Sequence, residues 1–338
     1  MHSTGLVYSQ ATRYGVLETL VLVAWQFSNR RELGMKTDVK FVTGSNIQLA
    51  GALYSPDSKK NARVPAIVVS HPGSGVKEQT AGPYARHLAD AGFITLAFDA
   101  AYQGESGGEP RGLEDPAQRV EDIKAAVSYL ETRGDVDGDH IGVLGICASG
   151  GYAVTAAASD HRIKAIATVS GVDIAAQFRR GAEGDQAPAV FQGLLDAAAK
   201  ARTAEAGGGE VQRFPLFPST EAQARAGGQH LFDGWEYYIS PRAQHPRSMK
   251  AMTWSSVDKM ATFDAFRFVD MIAPRPLLFI LGSKAVTKWM GTEAFKRAKE
   301  PKELFWIDGA SHVDLYDKPE YVGPAVAKLS DFFHKTLA

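Results

Sequence analysis

The chain has 338 residues, 45% hydrophobic and 22% charged, with a net charge of −1. That length can bury one large core with a substantial insertion, or two modest domains, and the balanced charge without a long basic cluster argues against nucleic acid as a partner. The single cysteine excludes an intramolecular disulfide and a cysteine-built zinc site, and it fits a reducing, cytoplasmic compartment.

Val16 to Phe27 contains the apolar run Leu20-Val21-Leu22-Val23-Ala24-Trp25, which is too short to span a bilayer and carries Glu18 near its start. It lacks the basic start and small-residue cleavage site of a secretory signal. The pattern predicts an amphipathic helix packing on the body of the protein, with residues 1–34 an accessory extension or the product of an upstream start. From Met35 two alternating strands, Val39 to Thr43 and Ile47 to Tyr54, flank the turn Gly44-Ser45-Asn46. Ala66 to Ser70 reads as a fully apolar strand, followed by the loop His71-Pro72-Gly73-Ser74-Gly75 and a helix over Ala81 to Ala91. Next come a buried strand, Ile94 to Phe98, a Gly-rich loop after Asp99, and a helix over Pro116 to Glu131 with apolar Val120, Ile123, Val127 and Leu130 at helical spacing.

The run His140 to Gly145 reads as another buried strand, and it leads into Ile146-Cys147-Ala148-Ser149-Gly150-Gly151. A nucleophile on a tight strand-to-helix turn needs small residues two positions away on each side, and Gly145 and Ser149 meet that need. Gly150 to Ala158 is helix-compatible, which would place the Cys147 thiol at a helix N-terminus that favours a thiolate. Cys147 could instead be a small buried hydrophobe. Ser149, flanked by Cys147 and Gly151, is the rival nucleophile of a shifted turn, disfavoured because the apolar run ends at Leu144 and Gly145 opens the turn. A strand at Ile163 to Val169 follows. Unbroken apolar strands alternating with helices predict a mostly parallel sheet covered on both faces, with catalytic groups at the strand C-termini.

The alternation stops after Gly171-Val172-Asp173 and resumes with strands at Pro276 to Leu281 and Glu303 to Ile307 and a closing helix over Tyr321 to Leu337. Between them, residues 174–262 carry helix-prone segments, a Gly207-Gly208-Gly209 hinge and an aromatic cluster at Trp235, Tyr237 and Tyr238. They read as a cap over the strand ends, dividing the core into 35–173 and 263–338, with ligands bound between cap and sheet.

A thiol nucleophile needs a base, and among nine histidines His312 stands out, because it follows the last strand and comes after the nucleophile in chain order. The acid expected after Leu281-Gly282-Ser283, near Ala285, is missing. Asp173 could serve from the preceding strand, although such a residue also suits a helix N-cap; Glu293 and Asp314 are weaker alternatives. A Cys–His dyad is also tolerable, since a free thiol has a pKa of about 8.5. The Ala148 N–H and an amide of the 71–75 loop, Gly73 or Ser74, are the candidate oxyanion hole. Asp135 to Asp139 imitates a calcium loop, but Gly138 falls at the wrong position and Ile146 stands where the bidentate glutamate belongs; it reads as a turn before a strand. Gly104, Gly107 and Gly108 lack dinucleotide spacing. No metal and no cofactor are expected.

The Gly145-Ile146-Cys147 elbow in this order of elements resembles the α/β-hydrolase fold over residues 36–338, and its cysteine resembles that of dienelactone hydrolases. Closer similarity is to bacterial and fungal α/β-hydrolases that include polyketide transferases and thiohydrolases. It rests on His71-Pro72-Gly73 with Val76-Lys77-Glu78-Gln79-Thr80, on Phe98-Asp99-Ala100 through Gln103 to Arg111, and on His312-Val313-Asp314-Leu315-Tyr316. The resemblance implies acyl chemistry on a small-molecule substrate without naming it. The expected activity is hydrolysis of an ester, lactone or thioester through acyl-Cys147. Acyl transfer to a small acceptor and non-catalytic ligand binding are the alternatives, and a homodimer is compatible with the sequence. Dehalogenation and epoxide opening are disfavoured, because they want a carboxylate at the apex.

Overall fold

The protein, as a computed structural model, is described over residues 35–56 and 63–337. The helix expected within residues 1–34 lies outside them. In chain order the first half comprises β1 (Lys36–Val42), β2 (Gln48–Tyr54), β3 (Val64–Ser70), α1 (Ala81–Asp90), β4 (Ile94–Phe98), α2 (Pro116–Glu131), β5 (Val136–Ile146), α3 (Ala148–Ser159) and β6 (Ile163–Val169). An inserted stretch follows: α4 (Ile174–Arg180), α5 (Pro188–Ala206), β7 (Arg213–Pro215), α6 (Glu221–Ala226), α7 (Gln229–Tyr238), β8 (Ala251–Thr253) and α8 (Ser255–Ala261). After a 3-10 turn at Val269–Ile272 the chain closes with β9 (Leu277–Gly282), α9 (Lys288–Arg297), β10 (Lys302–Ile307), α10 (Asp314–Asp317) and α11 (Pro319–Thr336).

Eight strands form one sheet in the order β1-β2-β4-β3-β5-β6-β9-β10. β2 runs antiparallel to both β1 and β4, and every pairing from β4 to β10 is parallel. Alternate residues of the central strands enter opposite layers. Ala66 and Val68 of β3 pack with Val120, Ile123 and Val127 of α2, while Ile67 and Val69 pack with Tyr84 and Leu88 of α1 and Phe333 of α11. Because both faces are covered, the strands are continuously apolar. Each fully buried leucine, isoleucine or phenylalanine contributes on the order of 1.5–3 kcal/mol, so these two layers supply the main favourable term holding the strand ends in place. The Asp115 carboxylate accepts the Ala117 and Gln118 N–H groups at the start of α2, where Pro116 needs no donor. This is the α/β-hydrolase fold.

Two local expectations are corrected. The calcium-like string does not end in a turn before the strand: β5 already begins at Val136, which pairs with Val64 before the register shifts to Ala66↔Ile141. Gly207 to Gly209 is not a free hinge. It closes the C-terminus of α5, the Gly207 N–H bonding the Thr203 and Ala204 carbonyls and the Gly209 N–H returning to Ala204 O at 3.0 Å. No helix among the described residues is long and apolar enough to cross a membrane.

Candidate active site

β5 runs through Ile146, one residue further than its glycine suggests, and the turn falls on Cys147 itself, with φ 57° and ψ −123°. A non-glycine residue in that region costs about 1–3 kcal/mol and persists only where its surroundings over-determine it. Here they do. The Cys147 N–H donates to Val169 O at 3.0 Å, while its carbonyl accepts the N–H groups of Gly150 at 2.8 Å and Val172 at 3.0 Å. A Cβ on Gly145 would stand 2.1 Å from the Ser149 carbonyl oxygen, so only glycine lets α3 fold back so closely on β5. Ser149 is fully buried. Its hydroxyl donates to the His71 carbonyl and receives Arg119 Nη2 at 3.0 Å, which leaves it no role at the apex.

β3 and β5 end level, with Ser70 opposite Gly145, and this sets the 71–75 loop beside the elbow. The His71 ring donates from Nδ1 to Pro72 O at 2.7 Å and accepts the Ala100 N–H on Nε2 at 3.0 Å. Burial, reinforced by the neighbouring Arg119 charge, holds its pKa well below the ordinary histidine value. It is a structural latch. Ser74, at φ 59°, turns toward the inserted stretch: its hydroxyl accepts the Lys250 N–H and its carbonyl accepts the Ser248 hydroxyl, both at 2.8 Å.

Cys147 is partly buried, and burial is the largest influence on its thiol, raising its pKa above the ordinary value. The Tyr316 hydroxyl and the Ala148 and Gly73 N–H groups, near the thiol, pull in the opposite direction without overcoming burial. The helix N-terminus favours the thiolate, as expected from its place in the chain, and burial outweighs it. Of the two loop residues, Gly73 is the one whose amide influences the thiol.

His312 is buried just beyond β10, its carbonyl tied to Ser170 Oγ at the end of β6 by a 2.9 Å bond. Its Nδ1 lies 2.7 Å from Thr287 Oγ1 and its Nε2 lies 3.0 Å from Tyr316 Oη. Burial, with His230 nearby, holds its pKa well below the ordinary value, so the ring rests neutral. Among the described residues no direct hydrogen bond joins Cys147 to His312; the Tyr316 hydroxyl bonds His312 Nε2 and is near enough to the thiol to influence its pKa.

Asp173 is not brought to His312. Its carboxylate caps α4 by accepting the Ala175 N–H at 2.9 Å, accepts the Ala265 N–H at 3.3 Å and faces Arg179 at 3.7 Å. Glu293 pairs with Arg180 at the surface, and Asp314 pairs with Lys318 and the Ser311 N–H. The place near Ala285 that lacked an acid is filled two residues later by Thr287, which offers an oxygen acceptor without a charge.

Sequence reasoning missed Tyr316, Thr287 and the buried set beneath the elbow. Tyr316 closes the His312-Val313-Asp314-Leu315-Tyr316 string, and the turn that leads from His312 into α10 brings the two side chains together, a closure the sequence does not announce. Two aromatics of the inserted stretch pack close by. Tyr237 meets Tyr316 edge-on at 5.1 Å and hydrogen-bonds Thr80 Oγ1 at 2.9 Å, and Tyr238 stacks on Phe217 at 4.8 Å. Trp235 instead stacks with Phe232.

The strings that carried the resemblance prove largely architectural. Lys77 is buried with Asp99 at 3.0 Å, Glu78 at 2.9 Å and Glu105 at 2.5 Å. Burial alone would lower its pKa, but the Asp99 charge and these hydrogen bonds outweigh that and raise it. Gly104, at φ 50°, passes so near Asp99 that a Cβ would meet the carboxylate carbon at 2.3 Å. Arg111 staples the same loop through the Ser106, Gly108 and Gly104 carbonyls. Among the described residues no three histidine, cysteine or acidic side chains gather as a metal site.

Residues 49–205 match the Dienelactone hydrolase family. The chain is 43% identical to protein YcjY of Escherichia coli K12 over 90% of its own length and all of that protein. It is 33% identical to thiohydrolase aneE of Aspergillus aculeatus, covering 82% of this chain and 87% of that one. The crystal structure of protein PA2218 from Pseudomonas aeruginosa superimposes with a TM-score of 0.85 at 34% identity, covering 91% of this chain and 95% of that one. With its strand order, elbow and the match from β2 through α5, the chain belongs to the dienelactone hydrolase family of α/β-hydrolases.

Proposed function

We propose that the protein is an acyl hydrolase that forms a covalent acyl-Cys147 intermediate from an ester, lactone or thioester. One observation carries this reading: the only cysteine sits at a strained strand-to-helix apex, at the N-terminus of α3, beside a tyrosine hydroxyl that lies 3.0 Å from a buried imidazole. As Sγ attacks the acyl carbon, its proton passes to Tyr316 Oη while the Tyr316 proton passes to His312 Nε2. The carbonyl oxygen takes up the negative charge between the Ala148 and Gly73 N–H groups. Collapse of the adduct breaks the bond to the leaving group, which takes its proton from His312. Water then attacks the thioester carbon, delivers a proton to His312, and the thiol reforms. Throughout, Nδ1–H stays on Thr287 Oγ1, which orients the ring but cannot neutralise an imidazolium. A nucleophile more acidic than serine suits a base so weakly supported.

The 174–262 insertion acts as a cap, since its Tyr237, Ser248 and Lys250 bond Thr80 and Ser74 beside the elbow. The relative named as a thiohydrolase supports hydrolysis. The burial of His312, Tyr316 and Tyr238 also favours acyl transfer when a small alcohol, amine or thiol competes with water. Intact mass after incubation with activated esters and acyl thioesters is expected to show one acyl group on the wild type and none on Cys147→Ala; absence of any adduct and any turnover across the panel would end this reading. Product analysis with and without an acceptor separates transfer from hydrolysis.

Asp173→Asn is expected to keep kcat within about twofold, because asparagine caps a helix about as well as aspartate. Thr287→Val removes the acceptor on His312 Nδ1 and is expected to lower kcat about tenfold, the scale of one buried hydrogen bond. Steady-state kinetics on one activated ester decides both, and the reverse ranking would return the acid to Asp173.

A further inference from the structure

His230, at the start of α7, is a second imidazole at the site that the reaction above does not use. Its ring stands at 86° to that of His312, with centroids 5.3 Å apart. The Gln177 side-chain amide nitrogen, from α4, lies 3.0 Å from its Nε2 and donates to it, which holds the ring proton on Nδ1. That Nδ1 is buried and, among the described residues, has no hydrogen-bond partner. Burial keeps the ring's pKa below the ordinary value, against the weaker influence of Glu183 and Asp233, so Nδ1 is a neutral donor. Buried donors almost always have an acceptor, and this one sits on a ring packed edge-on against His312.

The leaving group determines which part of the substrate that is. It receives its proton from His312, so it passes alongside the ring against which His230 packs. We propose that His230 Nδ1–H donates to an oxygen carried by the leaving group, selecting esters and thioesters whose alcohol or thiol portion bears an amide or carboxyl carbonyl within a few bonds of the scissile bond. This rests on the acyl-hydrolase reading, and it assigns Gln177 as the positioning residue that fixes the His230 tautomer.

The test uses the Cys147→Ala protein, which binds without acylation, titrated with two thioesters of one acyl group. S-butanoyl-N-acetylcysteamine carries the carbonyl; S-(4-methylpentyl) thiobutanoate is its shape match without one. The affinity ratio between them is expected to fall about tenfold when His230→Leu or His230→Phe is added, because a buried donor discriminates against a ligand that cannot pair with it. His230→Asn, which keeps a donor near the Nδ1 position, is expected to retain most of the ratio. An unchanged ratio in the leucine and phenylalanine variants, or no binding of either thioester, overturns the proposal. Wild-type turnover of the same two thioesters is measured separately: turnover with an unchanged ratio would leave the hydrolase reading standing and remove His230 from it.

Discussion

Tyr316→Phe is expected to lower kcat for ester or thioester turnover by about 10²–10⁴-fold, the range of a lost general acid–base step, with little change in KM or Tm. The ring stays, with its edge-on contacts to Tyr237 and His312; only the hydroxyl that reaches Nε2 at 3.0 Å and faces the sulfur is removed. Without it the thiol proton has no continuous path to the base. The pH dependence of alkylation gives a second readout. Because burial raises the Cys147 pKa, the thiol is protonated at neutral pH, and the iodoacetamide rate of the wild type is expected to climb with pH through and beyond the ordinary thiol range. No inflection is expected near 6.5, because His312 titrates well below that value. The variant loses the hydroxyl whose influence lowers the thiol pKa, so its rate at a given pH near 8 should be smaller, and raised pH should partly restore turnover. Wild-type kcat in Tyr316→Phe would mean that His312 takes the thiol proton without a relay.

Arg119→Leu should destabilise the fold by about 3–5 kcal/mol, the cost of breaking a buried ion pair from one side. Arg119 and Glu114 are both buried beneath the elbow, with Arg119 Nε 3.3 Å from Glu114 Oε1 and the guanidinium 5.2 Å from the Tyr152 ring centroid. The same guanidinium donates to the His71 carbonyl and to Ser149 Oγ, while Tyr152 Oη donates to Glu114 Oε1 at 2.8 Å. Removing it strands a carboxylate in the interior and loosens both the 71–75 loop and the first turn of α3. Since a domain has only about 5–15 kcal/mol of net stability, a loss of this size is visible in denaturant unfolding as a large fall in midpoint. Adding Glu114→Gln to Arg119→Leu is expected to recover part of it, by removing the stranded charge. A single-variant cost below about 1 kcal/mol would show that water reaches this pair.

Much of the candidate site was legible because its signals are local. Gly145, Cys147 and Ser149 occupy adjacent turns of one strand-to-helix junction, and the sterics that demand small neighbours act within five residues. His312 could be placed because chain order after the last strand restricts where a loop can return. The third partner was not legible in the same way. Asp173 and Thr287 each follow a sheet strand, and sequence chemistry favours the carboxylate. The structure gives Asp173 three other partners, two backbone N–H groups and Arg179, and leaves Nδ1 to a hydroxyl. The net balance at the thiol was not legible for a related reason. A helix N-terminus is written in the sequence, whereas burial of the sulfur depends on side chains from distant elements.

Apolar runs, turn residues and their order are properties of the chain, and they determined the sheet, the elbow and the family, since hydrophobic burial on two faces allows few other arrangements. Cys147, Tyr238, Thr287, His312 and Tyr316 come together only when β5, α7 and the loops beyond β9 and β10 pack at one end of the sheet. Tertiary structure alone decided the partners of His312, the neutral resting state and the open Nδ1 of His230. Desolvation and hydrogen-bond distance are set by three-dimensional packing, which spacing along the chain does not encode.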